Sequence, residues 1–235
     1  MAYLRLAYYS AKHRNPGFCL PFLICIFTLN LSISYAQSLI TVTSPVDNQV
    51  VQRDSAGFAS FSLTGYIHYP FSRLEAKLAP IAGNSNPTVT TTIDNNQINQ
   101  GFFSKQVVAR SGWYRLTLLG YSPSGSVDSV YVERVGVGEV FLIAGNSNAM
   151  GLPDLGAKSG TVNVISFNAV NKILNLENIT VAADAPMAAP VFSPIDSKNY
   201  LYPSGETSWY WGELGEMIFQ KSGVPVLFLN ASWAA

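Results

Sequence analysis

From Gln37 to about Val135 no ten-residue stretch carries a helical repeat, while short runs alternate apolar and polar residues. A chain limited to period-two segments must bury them as sheets, with every second side chain turned inward. ITVTSP alternates, and so does FASFSLTGYIHY from Phe58, with Gly65 as a break. TVTTTI (residues 88–93) is β-branched, DNNQINQG is turn chemistry, and FFSKQVVA, GWYRLTLLGY and VDSVYVERV follow. Roughly seven short strands in about 100 residues match an all-β sandwich of immunoglobulin-like size. In SGWYRLTLLGY, Tyr114, Leu116 and Leu118 share one strand face. Tyr114 therefore resembles the tyrosine corner of such sandwiches, or is an aromatic at the mouth of an ordinary amphipathic strand.

After Val135 the pattern changes. GEVFLIA (138–144) is a mostly apolar run, which suits a strand covered on both faces, as in a parallel sheet flanked by helices. TVNVISF (161–167) reads as a second strand, and 182–203, with four prolines, as loop. Residues 206–222 read as a helix capped by Thr207 or Ser208. Its apolar stripe runs through Trp209, Tyr210, Trp211, Leu214, Met217 and Ile218, and Gly223 ends it. VPVLFL (224–229) is a third strand. Strand, turn, strand, helix, strand is the start of an α/β layer fold. The expected α/β domain is incomplete, because three strands and one long helix seldom cover both sheet faces. The chain is thus expected to be the front part of a longer protein.

The first 36 residues read as a signal peptide. A basic stretch ending at Arg14 precedes the apolar run FCLPFLICIFTLNL, and Ser34 and Ala36 stand in A-x-A-like positions. That run is shorter than the roughly 20 residues that span a bilayer. Cleavage after Ala36 would leave no stable membrane span and an exported protein, periplasmic, cell-surface or extracellular. The expected division is then 1–36 signal, 37–136 sandwich and 137–235 α/β part. Both cysteines, Cys19 and Cys25, lie in the signal. The mature chain has no cysteine nucleophile and no thiolate zinc site, and absence of cystines fits bacterial export better than animal secretion. Overall, 14 basic residues balance 14 acidic ones. No basic patch suggests a nucleic-acid partner. No metal-ligand cluster or cofactor motif is visible.

The chemistry-bearing stretch is FLIAGNSNAMG. Ser147 follows the apolar run two residues after Gly145, at the end of a strand where α/β sheets open their ligand crevice. If a helix starts there, its N–H groups face a developing oxyanion. Alternatively Asn146, Ser147 and Asn148 cap a helix or form a turn. The chain supplies its own control, since IAGNSN also occurs at 81–86, before Pro87, where it reads as a loop. Asp154 and Glu139 lie near Ser147 in sequence, but acids there are commonly solvated. Glu206, Glu213 and Glu216 fall on the polar side of the expected helix. Trp209, Trp211 and Trp233 are either core residues or sugar platforms.

VGEVFLIAGNSNAMG resembles the first block of the SGNH hydrolases, in particular their sialate O-acetylesterase-like branch, which reads V-G-E/D-V-W-L-x-x-G-Q-S-N-M. Gly138, Glu139, Val140, Leu142, Gly145, Ser147 and Asn148 match, while Asn146 replaces Gln. WYWGELGEMIFQKSGVPVLFLNASWAA is similar to the branch's Y-F-G-R-E-L helix and the following G-V-P-V-G-L-I-N-S-S-W-G-G. Here Gly212, Leu214, Gly223, Val224, Pro225, Val226, Asn230, Ser232 and Trp233 match. A β-rich domain before the hydrolase part is also similar to this branch.

The resemblance implies a serine esterase that removes O-acetyl groups from sugars or glycans, without a cofactor. Ser147 would be the nucleophile, with Asn148 and the backbone N–H of Ala234 as oxyanion or supporting groups. Ala234 and Ala235 stand where the branch has Gly-Gly, so the N–H groups remain while glycine-only backbone angles are lost. The branch takes its catalytic His and Asp from a C-terminal block, which would lie beyond Ala235. The chain alone is therefore expected to be inactive or nearly so. Of its two histidines, His13 falls in the signal and His68 in the sandwich. The rival expectation is a non-catalytic cell-surface glycan-binding protein on a hydrolase scaffold. Residues that bind the substrate itself are not legible.

Overall fold

The computed structural model describes residues 38–81, 83–94, 99–151, 156–167, 191–197, 201–205 and 207–233. The signal-peptide expectation, Asp154, Glu206, Ala234 and Ala235 all lie outside the described residues.

The described residues are mostly β, and their front part is a sandwich. One sheet pairs β1 (Ile40–Ser44), β3 (Phe58–Ile67) and β6 (Gly101–Arg110) antiparallel. Facing it are β4 (Arg73–Pro80), β5 (Val89–Asp94), β7 (Gly112–Tyr121) and the first half of β8 (Val127–Ile143), also antiparallel. Burial in β3 alternates strictly: Ala59, Phe61, Leu63, Gly65 and Ile67 point inward. They meet Leu74 and Leu78 from β4 and Tyr114, Leu116 and Leu118 from β7 in one apolar core. Each such large side chain contributes about 1.5–3 kcal/mol when removed from water.

Tyr114 forms the corner. It is 1% exposed. Its hydroxyl donates to the Arg110 carbonyl at 2.9 Å and accepts from Asn86 Nδ2 at 2.9 Å. The phenol thereby closes the turn from β6 into β7 and clamps the 84–86 loop against it.

Strand β8 does not stop where the sandwich ends. Its residues 135–138 pair in parallel with β2 (Gln49–Gln52), and residues 139–143 pair in parallel with β11 (Val226–Asn230). β11 also lies parallel to β9 (Val164–Phe167), to which β10 (Phe192–Pro194) adds antiparallel. The expected domain boundary at 136–137 thus falls inside one 17-residue strand. Gly138 marks the crossing, because a Cβ there would come within 2.0 Å of the Pro225 carbonyl oxygen.

One face of the parallel strands carries helix α2 (Trp211–Ser222), whose Trp211 packs with Val164, Val226 and Phe228. On the other face the described residues meet the sandwich: Ile165 and Leu227 pack on Val50 and Trp113. Trp113 Nε1 donates to Asn163 Oδ1 at 2.9 Å, and the Arg134 guanidinium lies 4.1 Å from the Trp113 ring. The 138–144 run is therefore less covered than its apolar sequence suggests, and Leu142 is 67% exposed.

Helix α2 begins later than the sequence pattern predicts. Tyr210 is its N-cap and makes no side-chain cap bond. Ser208 is buried, and its carbonyl accepts from the Trp211 N–H in a turn through Trp209, whose φ is +37°. Such a left-handed residue cannot belong to the helix. The stripe also differs: Leu214 and Ile218 pack on the core, while Met217 is 66% exposed. Gly223 ends the helix in the left-handed region as expected. Among the described residues no helix is long and apolar enough to cross a membrane.

Candidate functional site at the ends of β8 and β11

β8 and β11 are parallel neighbours, so their carboxyl ends open on the same edge of the sheet. The chain leaving β8 turns at once into the single-turn helix α1 (Ser147–Met150). Asn146 is its N-cap, in extended conformation, and its Oδ1 accepts from the Asn148 N–H at 3.2 Å. The Asn146 carbonyl accepts from the Ala149 N–H at 2.9 Å. Capping thus falls to Asn146. Ser147 is exposed, and neither its hydroxyl nor its N–H has a hydrogen-bond partner among the described residues. The Asn148 N–H is spent on the cap, which removes it as a donor to a ligand.

Gly145 serves packing here. A Cβ at this position would come within 2.8 Å of the Ala149 Cβ. Its small size lets α1 fold back onto the strand that launches it.

The segment after β11 runs alongside. Ala231 N–H donates to the Ile143 carbonyl at 2.8 Å, and Trp233 N–H to the Gly145 carbonyl at 2.9 Å. The parallel pairing therefore continues to Gly145, two residues past β8, and to Trp233, three residues past β11. Trp233 is half-exposed, next to Gly145 and hence to the serine turn. The other two tryptophans differ: Trp211 is buried against Phe228, and Trp209 packs on the same cluster.

Asn230 matches the second block of the resemblance, and the sequence alone assigns it no role. It is fully buried. Its Nδ2 donates to the Ala149 carbonyl at 2.9 Å, and its Oδ1 accepts from the Ser232 N–H at 3.0 Å. Its backbone N–H donates to the Tyr202 carbonyl, and its carbonyl accepts from Ser204. The available signal was an amide closing an otherwise apolar strand, VLFLN, since a buried amide requires partners.

The acidic candidates sit elsewhere. Glu139 receives Arg53 Nε at 2.8 Å and Gln52 Nε2 at 3.1 Å, beside β2. Burial pushes its pKa up, but the bonds from Gln52 and Arg53 and the Arg53 charge outweigh this, and the net shift is downward. A carboxylate held ionised in an ion pair is a poor base for a serine. Glu213 pairs with Lys158 at 2.9 Å, and Glu216 binds Gln220 at 2.7 Å, so both belong to the surface of α2.

His68 follows β3 and bonds Thr41 Oγ1 at 3.0 Å. It lies just before Phe71 and Arg73, and Arg73 is in register with Tyr121, itself opposite Val127. That is the start of β8, whereas Ser147 follows its end. At about 3.3 Å per residue the strand is about 50 Å long. His68 is therefore out of reach. Among the described residues no histidine stands near Ser147, and no group of three His, Cys, Asp or Glu side chains could hold a metal. A cavity of about 310 Å³ lies beside Arg53, Asn86, Arg110 and Ser111, and Ser147 does not line it.

The second IAGNSN takes the other course. Asn84 Nδ2 donates to the Trp113 carbonyl, and Asn86 Nδ2 to the Ser111 carbonyl and Tyr114 hydroxyl. β4 ends at Pro80, directly before it, but among the described residues no helix follows, and the next element is β5 at Val89.

No protein-family model and no curated protein matches the chain. Among solved structures, a carbohydrate acetylesterase from Xanthomonas citri is similar over 83% of this chain, at 18% identity and a TM-score of 0.48. The chain spans 40% of that protein's length.

Proposed function

We propose that this chain carries the nucleophile of an exported carbohydrate esterase that removes O-acetyl groups from glycans. One observation carries the reading: Ser147 stands exposed at the end of β8 with its hydroxyl unengaged among the described residues, while Asn146 does the capping. A serine present only to cap the turn would have spent its oxygen on the backbone. The two sequence blocks that resemble the SGNH branch add to this, since both end at the same sheet edge.

In the proposed reaction Ser147 Oγ attacks the acetyl carbonyl carbon while a base accepts its proton. The tetrahedral oxyanion is held by the Ser147 N–H and by the N–H of Ala234, and it collapses to acetyl-Ser147 as the protonated sugar oxygen departs. Water then releases acetate. The base comes from outside the described residues.

The test supplies that base. The chain is incubated with p-nitrophenyl acetate, with and without imidazole, and its peptides are examined by mass spectrometry. The expected result is an acetyl group on Ser147, formed faster with imidazole and lost in Ser147→Ala. Ser85, in the identical hexapeptide, is the internal control. Equal labelling of Ser85 and Ser147, or none at either, overturns the assignment and leaves a glycan-binding protein on the same scaffold.

A further inference from the structure

We infer that Asn230 is a positioning residue that locks the serine turn α1 to the segment following β11. Its purpose rests on the esterase reading above, but its geometry does not. The side-chain amide is satisfied at both ends, by the Ala149 carbonyl and the Ser232 N–H. Only one orientation of the amide fits, because a flip would set oxygen against the Ala149 carbonyl and N–H against N–H. α1 is a single turn, so its carbonyls have few helical partners, and Asn230 Nδ2 satisfies one of them.

The backbone of Asn230 is fixed as tightly. Its N–H is held by Tyr202, and its carbonyl by the N–H and Oγ of Ser204. A Cβ on Gly205 would come within 2.6 Å of the Asn230 amide nitrogen, so glycine there makes room for the amide. Four segments thus converge on one buried side chain: α1, the 201–205 turn, β11 and the stretch from Ala231 to Trp233. A serine can present its oxygen reproducibly to an acyl carbon only if its short helix does not slide against the oxyanion donors. Asn230 supplies that fixed distance without touching substrate.

The discriminating variant is Asn230→Asp, read by hydrogen exchange. At neutral pH the carboxylate accepts from Ser232 but repels the Ala149 carbonyl. The Asn148 and Ala149 amides, both bonded to Asn146, should then exchange at least tenfold faster than in the unaltered chain, while those of 226–229 in β11 stay protected. Once protonated, the carboxyl can donate to Ala149 again, so protection of α1 should return as pH falls. A side chain that only filled space would show no such rescue. The described residues of the surrounding segments, 147–151, 201–205 and 231–233, carry no Asp, Glu, His, Lys or Arg that would confound this titration.

If the variant does not fold, the unaltered chain still decides the matter. By NMR, at least one Asn230 side-chain amide proton should exchange tenfold or more slowly than those of exposed Asn148. Equal exchange of the two amides, or unchanged α1 protection in a folded variant, overturns the proposal. Loosened α1 without acylation of Ser147 in the unaltered chain would sink the esterase reading and leave the Asn230 lock standing.

Discussion

Trp233 donates its backbone N–H to the Gly145 carbonyl at 2.9 Å, three residues beyond the end of β11 and two beyond the end of β8. This bond sets the two blocks that sequence alone could only align side by side. Between Gly145 and Trp233 in sequence lie β9, β10, α2 and β11, yet in space the two residues form one edge. The edge is reached along β8, which begins at Val127 at the far end of the sandwich and ends at Ile143, just before the turn that carries Ser147. The sandwich is therefore the anchor of the strand that presents the serine.

Because Ser147 makes no bond among the described residues, Ser147→Ala should leave stability within about 0.5 kcal/mol of the unaltered chain. Asn146→Ala should behave differently. It removes the Oδ1 acceptor of the Asn148 N–H and should cost α1 about 1 kcal/mol. Urea denaturation checks the first, and exchange of the α1 amides the second. A reversed order would mean that serine, not asparagine, caps the turn.

Much of the sandwich was legible because its strands alternate, and β3 shows that pattern without a break. The corner at Tyr114 was legible as a candidate, since Gly112 and the aromatic stand together at a strand start. The site was legible only as far as Ser147. The length of β8 was hidden by VGVG, where the alternation gives way to an apolar run with two glycines, although Gly138 is there to let Pro225 approach. The start of α2 was hidden because Thr207 and Ser208 look like caps, while the left-handed Trp209 delays the helix. Asn230 was hidden because the partners that define its role, Ala149 and Tyr202, are distant in sequence.

Tyr114→Phe tests the corner. It keeps the buried ring but leaves the Arg110 carbonyl without the hydroxyl and the Asn86 amide with only the Ser111 carbonyl. Loss of buried hydrogen bonds of this kind should destabilise the chain by about 1–3 kcal/mol. The urea midpoint should fall with an unchanged slope. A midpoint equal to that of the unaltered chain would show that water replaces the hydroxyl at no cost.

Gly215→Ala sets helix propensity against packing. Alanine gains about 1 kcal/mol over glycine in a helix interior. At this position, however, a Cβ would stand 2.3 Å from Val164 Cγ1 and 2.9 Å from Phe228 Cε2. Overpacking of that sort costs about 1–3 kcal/mol, and both neighbours sit on central strands that cannot easily withdraw. Net destabilisation is expected. Met217→Ala on the exposed side of α2 should stay within about 0.5 kcal/mol by the same measurement.

Glu139 gives the acid limb its sign. Its pKa is lowered in the folded chain, so its stabilising contribution is present above the unfolded value, about 4.3, and is lost as pH falls through the folded one. Glu139→Gln removes that charge. The variant should be less stable at pH 7, and the gap should close below about pH 4 as the carboxylate of the unaltered chain takes up its proton. Arg53 and Glu139 remain partly open to solvent, with side-chain exposures of 28% and 25%, so added salt should narrow the gap at pH 7. Denaturation midpoints measured from pH 3 to 7 check this. A gap that persisted unchanged at pH 3 would assign the effect to the hydrogen bonds from Gln52 and Arg53, and not to the charge on the carboxylate.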